Sequence, residues 1–309
     1  MATTSAASQK SPKTFDDFDR LFPDEASCKA YLVERRWPKG VTCPRCGNQK
    51  VYKLTARPFH WLCKSETCLK ASRTGYRFSL YVGTIFENTN YPLRTWFRVL
   101  HLMLSSKKGM SALQIHRMIG SGSYRTAWYI AHRLRAGLAD PEFRKLMGVV
   151  EVDETFIGGK DKNRHFDKKS HGKGGIGSGK IGVIGAISRK GNVTCQIIEG
   201  TDERTLTNFV RNTVSEKVRL VSTDDHVGYR DLVEEGYRHR IVRHSTGEYV
   251  RGDVHTNCME NFWSLLKRGV LGTYHNVSRK YLPLYLNEFV FRFNNRQNAD
   301  MFGEAVAHC

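Results

Sequence analysis

Three acidic residues and one lysine are spaced along the second half of the chain in a way that restricts its possible folds. Asp153 lies in a strand-like run, GVVEVDETFIGG, and Asp224 ends a second apolar run, VRLVSTDD. Glu260 follows Asp224 after 35 intervening residues, and Lys267 follows Glu260 after six, in a helix-like segment, HTNCMENFWSLLKRGV. Two strand-end aspartates and a helical glutamate can converge on one site in an α/β domain.

Converging carboxylates are the chemistry that a hard divalent cation requires. Mg²⁺ and Mn²⁺ prefer carboxylate oxygens, and two such ions can hold the attacking and leaving oxygens of a phosphodiester. Any one of the three acids alone would be read as an ordinary surface carboxylate. Their order, their elements and the basic residue two helical turns beyond the last favour a magnesium or manganese site formed by Asp153, Asp224 and Glu260.

The identity of the third ligand has a competing candidate on the same helix. Positions 257, 260, 264 and 267 are three, four and three residues apart, so they share one helical face. Asn257, Glu260 and Lys267 can therefore all face the two aspartates. A carboxylate offers a dication a full negative charge, whereas an amide oxygen offers a dipole, so we expect Glu260 to be the ligand. The alternative is that Asn257 coordinates and Glu260 orients Lys267.

The charge of the chain indicates a polyanionic partner. Its 309 residues suggest two or three domains and carry a formal net charge of +19. Such an excess favours nucleic acid or an acidic membrane surface. The membrane alternative is weak, because no apolar run approaches the length of a spanning helix and residues 1–13 lack the core of a signal peptide. We expect a cytoplasmic, nucleoid-associated protein with residues 1–13 as a disordered tail.

Four of the eight cysteines have the spacing of a structural zinc site. Cys43 and Cys46 form a C-x2-C pair, and after sixteen residues Cys63 and Cys68 form a C-x4-C pair. This pattern is close to that of a zinc ribbon, in which thiolates bind Zn²⁺ tetrahedrally and the metal contributes folding energy to a small module. We predict a helix plus zinc ribbon over residues 14–85; the alternative is four unrelated buried cysteines.

The next segment is predicted to be helical and to contain a helix-turn-helix. An amphipathic helix through RVLHLMLSSKKG precedes a short helix, a Gly-Ser turn and a longer helix in MSALQIHRMIGSGSYRTAWYIAHRLRAGL. The second helix of such a motif can enter the DNA major groove. We therefore assign residues 86–147 to DNA binding, with Arg125, Arg133 and Arg135 as contacts. A helical hairpin with a Gly turn also occurs in proteins that do not bind DNA.

From residue 148 the pattern changes to that of a mixed α/β domain. Three strand-like runs are followed by a helix capped by Thr201 or Asp202, the strand VRLVSTDD, a helix YRDLVEEG, a strand YRHRIVRH, the helix from Asn257 and a last packing helix. This order is that of a ribonuclease-H-like, integrase-type fold. In that fold the first and fourth strands are adjacent, so Asp153 and Asp224 would be neighbours. We assign residues 148–309 to this catalytic domain.

A basic segment lies between the first two strands of that domain. Residues 160–180 contain seven basic and two acidic residues and many glycines, which predicts an irregular loop. Lys168, Lys169 and Lys173 could clamp a DNA backbone, or the loop could simply be solvated. Its GGIGSGK run lacks the spacing of a phosphate-binding P-loop and leads into a strand, so we reject nucleotide binding.

Taken together, the motifs resemble those of a known family. CPRCG, GTIF, TAWYIAHRLR, VEVDETFIGG, STDDHVGY, VHTNCMENFWSLLKRGVLGTYH and EFVFRFNNR are similar to segments of bacterial insertion-sequence transposases of the DDE class with an amino-terminal zinc ribbon. The resemblance implies that Asp153 and Asp224 are the first two metal ligands and that Lys267 is the basic residue after the third. The family varies between Glu and Asn at the third position, which Glu260 and Asn257 both offer here.

The resemblance also implies a function and its partners. A transposase of this class would bind the ends of its own element, cleave them and join the 3′ ends to target DNA, so we expect double-stranded DNA as partner and a homo-oligomer on DNA. Two alternatives remain: another ribonuclease-H-like nuclease or resolvase, and a zinc-ribbon regulator that binds DNA without cutting it.

Overall fold

The chain forms two compact units. The computed structural model describes residues 11–140, 143–159, 165, 169, 178–242 and 255–309. Unit 1 comprises Met1–Ala139 and Gln297–Cys309, and unit 2 comprises Asp140–Arg296. Among the described helices, none is both long and apolar enough to cross a membrane.

Unit 1 begins with two helices that lead into a small sheet. Its elements up to residue 137 are α1 (Phe15–Leu21), α2 (Glu25–Arg36), β1 (Val51–Lys53), β2 (His60–Cys63), α3 (Glu66–Ala71), β3 (Tyr76–Ser79), α4 (Leu93–Ser105), α5 (Ala112–Ile119) and α6 (Tyr124–Gly137). The strands pair antiparallel in the order β1-β2-β3. Trp37, at the end of α2, lies 5.4 Å from the ring of Trp61 and 6.3 Å from that of Phe78. The chain at the end of α2 therefore packs against the sheet that follows it.

Helices α5 and α6 form the predicted pair with a glycine turn. Gly120 ends α5 with φ +62°, a left-handed conformation that glycine adopts without strain. The Ser123 hydroxyl then caps α6 by accepting a hydrogen bond from the Thr126 amide at 3.2 Å. Ile115 and Ile130 are buried between these helices and α4. The loop chemistry of the turn thus sets the angle at which α6 leaves α5.

Unit 2 is built on a mixed five-stranded sheet. Its elements are β4 (Val149–Ile157), β5 (Ile181–Ser188), β6 (Val193–Ile198), α7 (Glu203–Thr213), β7 (Leu220–Thr223), a 3₁₀ helix (Val227–Leu232), β8 (His239–Ile241), α8 (Asn257–Gly269), a π-helical turn (Val270–Tyr274) and α9 (Leu282–Asn294). The strand order is β6-β5-β4-β7-β8, with β4 parallel to β7 and antiparallel to β5. The prediction that the first and fourth strands are adjacent is confirmed.

Alternation along β4 divides its side chains between the two faces of the sheet. Val150 and Val152 join the core that α7 and Tyr229 complete. Ile157 joins the opposite core, which contains Phe262 of α8 and side chains of α9. Side chains at positions 151, 153 and 155 project to the α8 face, because successive residues of a strand point to opposite sides. Helix α8 therefore covers the face that carries Asp153.

Most of the local sequence predictions for unit 2 agree with the structure, and one does not. Asp202 caps α7, accepting from the Thr205 amide at 3.0 Å, and residues 189–192 form the tight turn between β5 and β6. The predicted helix YRDLVEEG is wrong as an α-helix. The segment forms one 3₁₀ helix whose start is fixed by the His226 side chain, which accepts from the Gly228 amide at 3.1 Å. Gly236, at φ +86°, ends the turns that follow.

The carboxyl-terminal helix α10 (Met301–His308) belongs to unit 1. Phe302 packs against Phe22 and Phe97, with ring centroids 5.6 Å away in both cases. The Ile85 amide also donates to the Cys309 carbonyl at 2.9 Å. The expected domain of 148–309 thus needs correction at both ends: unit 2 runs from 140 to 296, because the aromatic side of α10 completes the core of unit 1. The ribbon and the helix pair, predicted as separate domains, both lie in unit 1.

Candidate zinc site and candidate active site

The four predicted zinc ligands lie together at one end of the small sheet. The Sγ atoms of Cys43 and Cys68 are 3.8 Å apart, those of Cys46 and Cys63 are 3.7 Å apart, and those of Cys46 and Cys68 are 3.6 Å apart. A tetrahedral Zn²⁺ with Zn–S bonds of about 2.3 Å requires sulfur atoms about 3.8 Å apart. The cysteine set therefore fits a zinc ion that all four thiolates hold, with no open position for a substrate.

The local backbone explains why these cysteines converge. After Cys43 the chain turns back, so that the Gly47 amide donates to the Cys43 carbonyl at 2.8 Å, and Gly47 adopts φ +72°. Ser65 caps α3 by accepting from the Cys68 amide, and its hydroxyl also lies 3.1 Å from the Cys46 sulfur. That hydroxyl is the largest cause that lowers the pKa of Cys46 to about 6. A low pKa favours the thiolate form of Cys46, whereas burial raises the pKa of Cys43 to about 12, so zinc binding at that thiol has to release its proton.

In unit 2, three carboxylates meet where β4 and β7 run side by side. Glu151 is paired with Ser222 in the parallel register of these strands. Asp153 and Asp224 each follow two residues later, so they reach the same level of the sheet. Ligand oxygens of Asp153, Asp224 and Glu154 all lie within 4.8 Å of one another. The two predicted aspartates are therefore brought together, and Glu154 is added to them.

The electrostatics of this group fit a bound dication. Burial is the main cause that raises the pKa of Asp153 to about 7, and the charge of Asp224 adds to it. Burial also raises the pKa of Glu154 to about 8, although the Tyr229 hydroxyl donates a hydrogen bond to this carboxylate and opposes the rise. Without a bound cation, carboxylates that lie close together repel one another, and this repulsion opposes their ionisation. A hard cation would relieve that repulsion, so the donor set matches Mg²⁺ or Mn²⁺.

Glu154 was missed by the sequence reasoning. In a strand, Asp153 and Glu154 should point to opposite faces of the sheet, which argued against their joining one site. Here the acids lie where β7 ends at Thr223, and Asp224 lies beyond it. A carboxylate on either side of β4 can therefore approach Asp224. The signal that could have shown this is the adjacency of two acids opposite the end of a short neighbouring strand.

Helix α8 presents the remaining predicted residues on one exposed face. Its exposed positions include Asn257, Glu260, Ser264 and Lys267. Met259, Phe262, Trp263 and Leu266 are buried on the other side. All four of these positions are exposed, which agrees with their helical spacing; that this face looks toward the two aspartates stays a prediction.

Glu260 lies at the margin of the acidic group. It is outside the cluster of oxygens within 4.8 Å, yet its charge contributes to the raised pKa of Asp153. The Thr256 hydroxyl donates to Glu260 at 3.1 Å. The assignment of Glu260 rather than Asn257 as the third ligand stays a prediction.

Trp263 and Gly185 bring α8 against the strand that carries Asp153. The Trp263 indole N–H donates to the Asp153 carboxylate at 3.0 Å. Gly185 is the partner of Asp153 on β5, and a Cβ at Gly185 would lie 2.4 Å from the Met259 Cε and 2.7 Å from the Trp263 ring. The helix can approach the sheet this closely because residue 185 has no side chain.

Comparison with known proteins agrees with this geometry. Residues 145–294 match the family described as the ISXO2-like transposase domain, a DDE transposase domain, and residues 23–71 match the transposase zinc-ribbon domain. The chain belongs to the insertion-sequence transposases of the DDE class with an amino-terminal zinc ribbon. The chain is also 29% identical over 294 residues to an uncharacterized protein in the transposable element ISH50 of Halobacterium salinarum, covering 88% of this chain and 92% of that protein.

The helix pair of the transposase exposes only part of its predicted DNA-contacting set. Arg125 is exposed in the first turn of α6, beside the half-exposed Tyr124. Arg133 is half-buried and donates to the Glu87 carbonyl and to the Tyr129 hydroxyl, the latter at 2.9 Å. Arg135 is only 1% exposed, so its assignment as a DNA contact is wrong. It lies on the side of α6 that faces the core of unit 1.

The basic loop of the transposase falls largely outside the described residues. Lys168 and Lys173 lie there, whereas Lys169 is described and is half-buried. The proposed role of these three lysines at the DNA backbone therefore stays a prediction.

Proposed function

We propose that this transposase binds the ends of its own insertion sequence, cleaves them and joins the 3′ ends to target DNA through divalent-metal phosphoryl transfer. The observation that carries the proposal is the convergence of Asp153, Asp224 and Glu154 beside the exposed face of α8. The strand order, with the third, second, first, fourth and fifth strands of unit 2 as neighbours, supports a ribonuclease-H-like fold for this unit.

Asp153, Asp224 and either Glu260 or Asn257 would hold the metal ions. When bound, two Mg²⁺ or Mn²⁺ ions supply Lewis acidity to the attacking and the leaving oxygen of the phosphodiester. Trp263 restricts Asp153 by its 3.0 Å hydrogen bond, and Tyr229 restricts Glu154 from the other face. Both contacts fix carboxylates before metal binds, which reduces the ordering that binding requires.

Lys267 has a different role in this proposal. It lies on the same exposed face as Glu260, about two helical turns further along α8. A lysine is a compact positive charge that binds phosphate groups. We assign it to the DNA backbone next to the scissile phosphate, where it orients the strand without taking part in proton transfer.

Substrate recognition is assigned to unit 1. The exposure of Tyr124 and Arg125 at the start of α6 supports this assignment, since residues near the start of the second helix of a helix-turn-helix reach base edges. The zinc ion would stabilise the ribbon that precedes this region. The net charge of +19 supports binding to DNA phosphates throughout.

The test is a joining reaction with purified, zinc-loaded protein. The protein is incubated with Mn²⁺ and a library of DNA that flanks the element in its genome, and joined products are sequenced. We expect defined element ends joined to target DNA, and no products from Asp153→Asn, a variant expected to retain DNA binding. Cleavage without joining of a pre-nicked end would instead favour a nuclease or resolvase. End binding without either reaction would favour a regulator.

A further inference from the structure

Glu151 is a buried acid on the α8 face of the sheet, and protein groups contact both of its carboxylate oxygens. Its side chain is 0% exposed, and one oxygen accepts a hydrogen bond from the Arg189 Nε at 2.7 Å, while the His255 Nδ1 lies 3.1 Å from that oxygen without hydrogen-bond geometry. The other oxygen accepts from the amides of Cys258 at 2.8 Å and Met259 at 3.2 Å. Both oxygens of Glu151 are therefore committed to protein donors.

These contacts exclude a second metal site at this position. Ligand atoms of Glu151, His255 and Cys258 do lie within 4.8 Å of one another. However, the guanidinium of Arg189 already neutralises the carboxylate, and a cation there would have to displace it. The cluster is an intramolecular ion pair that holds a helix.

The helix that it holds has no cap of its own. Thr256 precedes α8, but its side chain makes no capping bond and its hydroxyl donates to Glu260 instead. The first amides of a helix need acceptors, and a negative charge there also interacts favourably with the helix dipole. Glu151, on the neighbouring strand β4, supplies both the acceptor for these amides and the negative charge.

His255, two residues before the start of α8, is held by Ser222 of β7 and by Arg189, which follows β5. The His255 carbonyl accepts from the Ser222 hydroxyl at 3.0 Å and from the Arg189 guanidinium at 3.2 Å. Ser222 is the register partner of Glu151 across β4 and β7. Glu151 and Ser222 thus precede Asp153 and Asp224 by two residues each, with Asp153 on β4 and Asp224 just beyond the end of β7.

We propose that Glu151 is a positioning residue that fixes the start of α8 against β4 and thereby places the exposed face of α8 at the Asp153–Asp224 pair. The inference rests on the proposed function, because it gives that face its metal-binding role. Helix α8 is then held at two points on one strand, through Glu151 at its start and through Asp153 at Trp263. Glu260 lies between these points, so a shift of the helix start moves Glu260 relative to the aspartates.

The experiment compares Glu151→Gln with a matched control, Glu288→Gln. Glu288 is also 0% exposed, but it lies on α9, where it accepts from the Tyr274 hydroxyl at 3.1 Å and pairs with Arg292. Mn²⁺ affinity of the zinc-loaded full chain is measured by calorimetry, and the exchange of the Cys258 and Met259 amides by hydrogen-exchange spectroscopy. Thermal unfolding of both variants separates loss of stability from loss of placement.

We expect Glu151→Gln to weaken Mn²⁺ binding by about tenfold or more, in the range typical of residues that orient metal ligands. The two amides should exchange faster in this variant, while Glu288→Gln loses stability but keeps the Mn²⁺ affinity and the slow exchange. Mn²⁺ affinity within about twofold of the original protein, or equal weakening in both variants, overturns the proposal.

Two further measurements test the inference if Glu151→Gln does not fold or if the original protein binds no Mn²⁺. If Glu151→Gln does not fold, Ser222→Ala loosens the same turn through His255 and should weaken Mn²⁺ binding in the same direction; unchanged binding counts against the proposal. If the original protein binds no Mn²⁺ in unit 2, the proposed function fails. Amide exchange and the emission of Trp263, identified with Trp263→Phe, then decide whether Glu151 fixes α8.

Discussion

Asp153 lies directly opposite Gly185 in the antiparallel pairing of β4 and β5, so an acid of the candidate active site projects where the neighbouring strand has no side chain. The space left by Gly185 is filled by Met259 and Trp263 of α8. Gly185, one of two glycines in β5, thus sets how closely α8 can approach the strands β4 and β5.

We expect Gly185→Ala to reduce both stability and activity. The Met259 side chain can move away from a new Cβ, but the Trp263 ring, packed in the core and bonded to Asp153, has little freedom to do so. Overpacking of this kind costs about 1–3 kcal/mol of unfolding free energy. Thermal unfolding and the joining assay measure the two effects. Gly159→Ala is the control, since a Cβ at Gly159 meets nothing within 4 Å, and an equal loss in both variants would contradict the packing argument.

The third metal ligand can be assigned with two variants on one helical face. Glu260→Gln should abolish cleavage and joining with end binding intact, because the variant loses a full negative charge close to Asp153. Asn257→Ala should retain measurable joining in Mn²⁺. Ser264→Ala, on the same exposed face, is the control and should stay active. The opposite pattern of the first two activities would make Asn257 the ligand.

The raised pKa values predict that the zinc-loaded, magnesium-free protein is less stable at high pH. Burial raises the pKa of Asp153 to about 7 and that of Glu154 to about 8, above their ordinary values of 3.8 and 4.5. The folded state therefore holds protons that the unfolded chain has lost, and this stabilisation disappears as the pH rises through the folded pKa values. Burial lowers the pKa of His239 to about 4 from 6.5, so this residue has the opposite effect: its contribution to stability increases with pH and levels off only about one pH unit above 6.5.

The measurement is thermal unfolding of unit 2 between about pH 7.5 and 9, where His239 of the unfolded chain has lost nearly all of its proton and Glu154 still titrates. The unfolding temperature should fall over this interval and recover when Mg²⁺ is added. Glu154→Gln should flatten the decline. A stability that rises with pH across the interval would show that the two carboxyl groups are already ionised in the folded state.

The zinc site should be separable from the candidate active site. Cys43→Ser and Cys63→Ser should each release one zinc ion per chain, unfold the ribbon and leave the sheet of unit 2 folded, because the two units have separate cores. Metal analysis and circular dichroism report the outcome. Cys28→Ser is the matched control: Cys28 is buried in unit 1 but lies outside the four-thiol cluster, so the variant should keep its zinc.

The two ends of α6 should respond differently to loss of an arginine. Arg125→Ala should weaken binding to element ends and reduce the dependence of affinity on salt, since fewer counterions are released. Arg135→Ala should lower the unfolding temperature instead, because this side chain is almost fully buried. Binding titrations at several salt concentrations, alongside thermal unfolding, test both. Normal end binding by Arg125→Ala would remove α6 from the DNA interface.

Some features of the fold could be predicted from the sequence alone, and others could not. The alternation of GVVEVDETFIGG and the spacing of Asn257, Glu260 and Lys267 are local periodicities, so they predicted β4 and the exposed face of α8 correctly. Arg135 is buried because it lies one helical turn beyond Ala131, on the side of α6 that Ile130 and Leu134 mark as apolar; only its charge favoured a surface position.

Two helices are capped by side chains that are distant along the chain, and these caps could not be predicted from the sequence. Helix α4 follows Pro92 without a side-chain cap, and Glu25 of α2 accepts from the amides of Leu93 and Arg94, both at 3.0 Å. Glu151 does the same for α8 from a strand. In both cases the acceptor is far from the helix along the chain, so a search for Ser, Thr, Asp or Asn at the helix start cannot find it.

The position of α10 has a consequence for the order in which the protein is completed during synthesis. Phe302 leaves the ribosome after every residue of unit 2, yet it belongs to the aromatic core with Phe22 and Phe97. Domains generally fold as units as the chain emerges. The sheet of unit 2 can therefore form before α10 completes unit 1, so the unit to which we assign DNA recognition is completed only after the unit to which we assign cleavage.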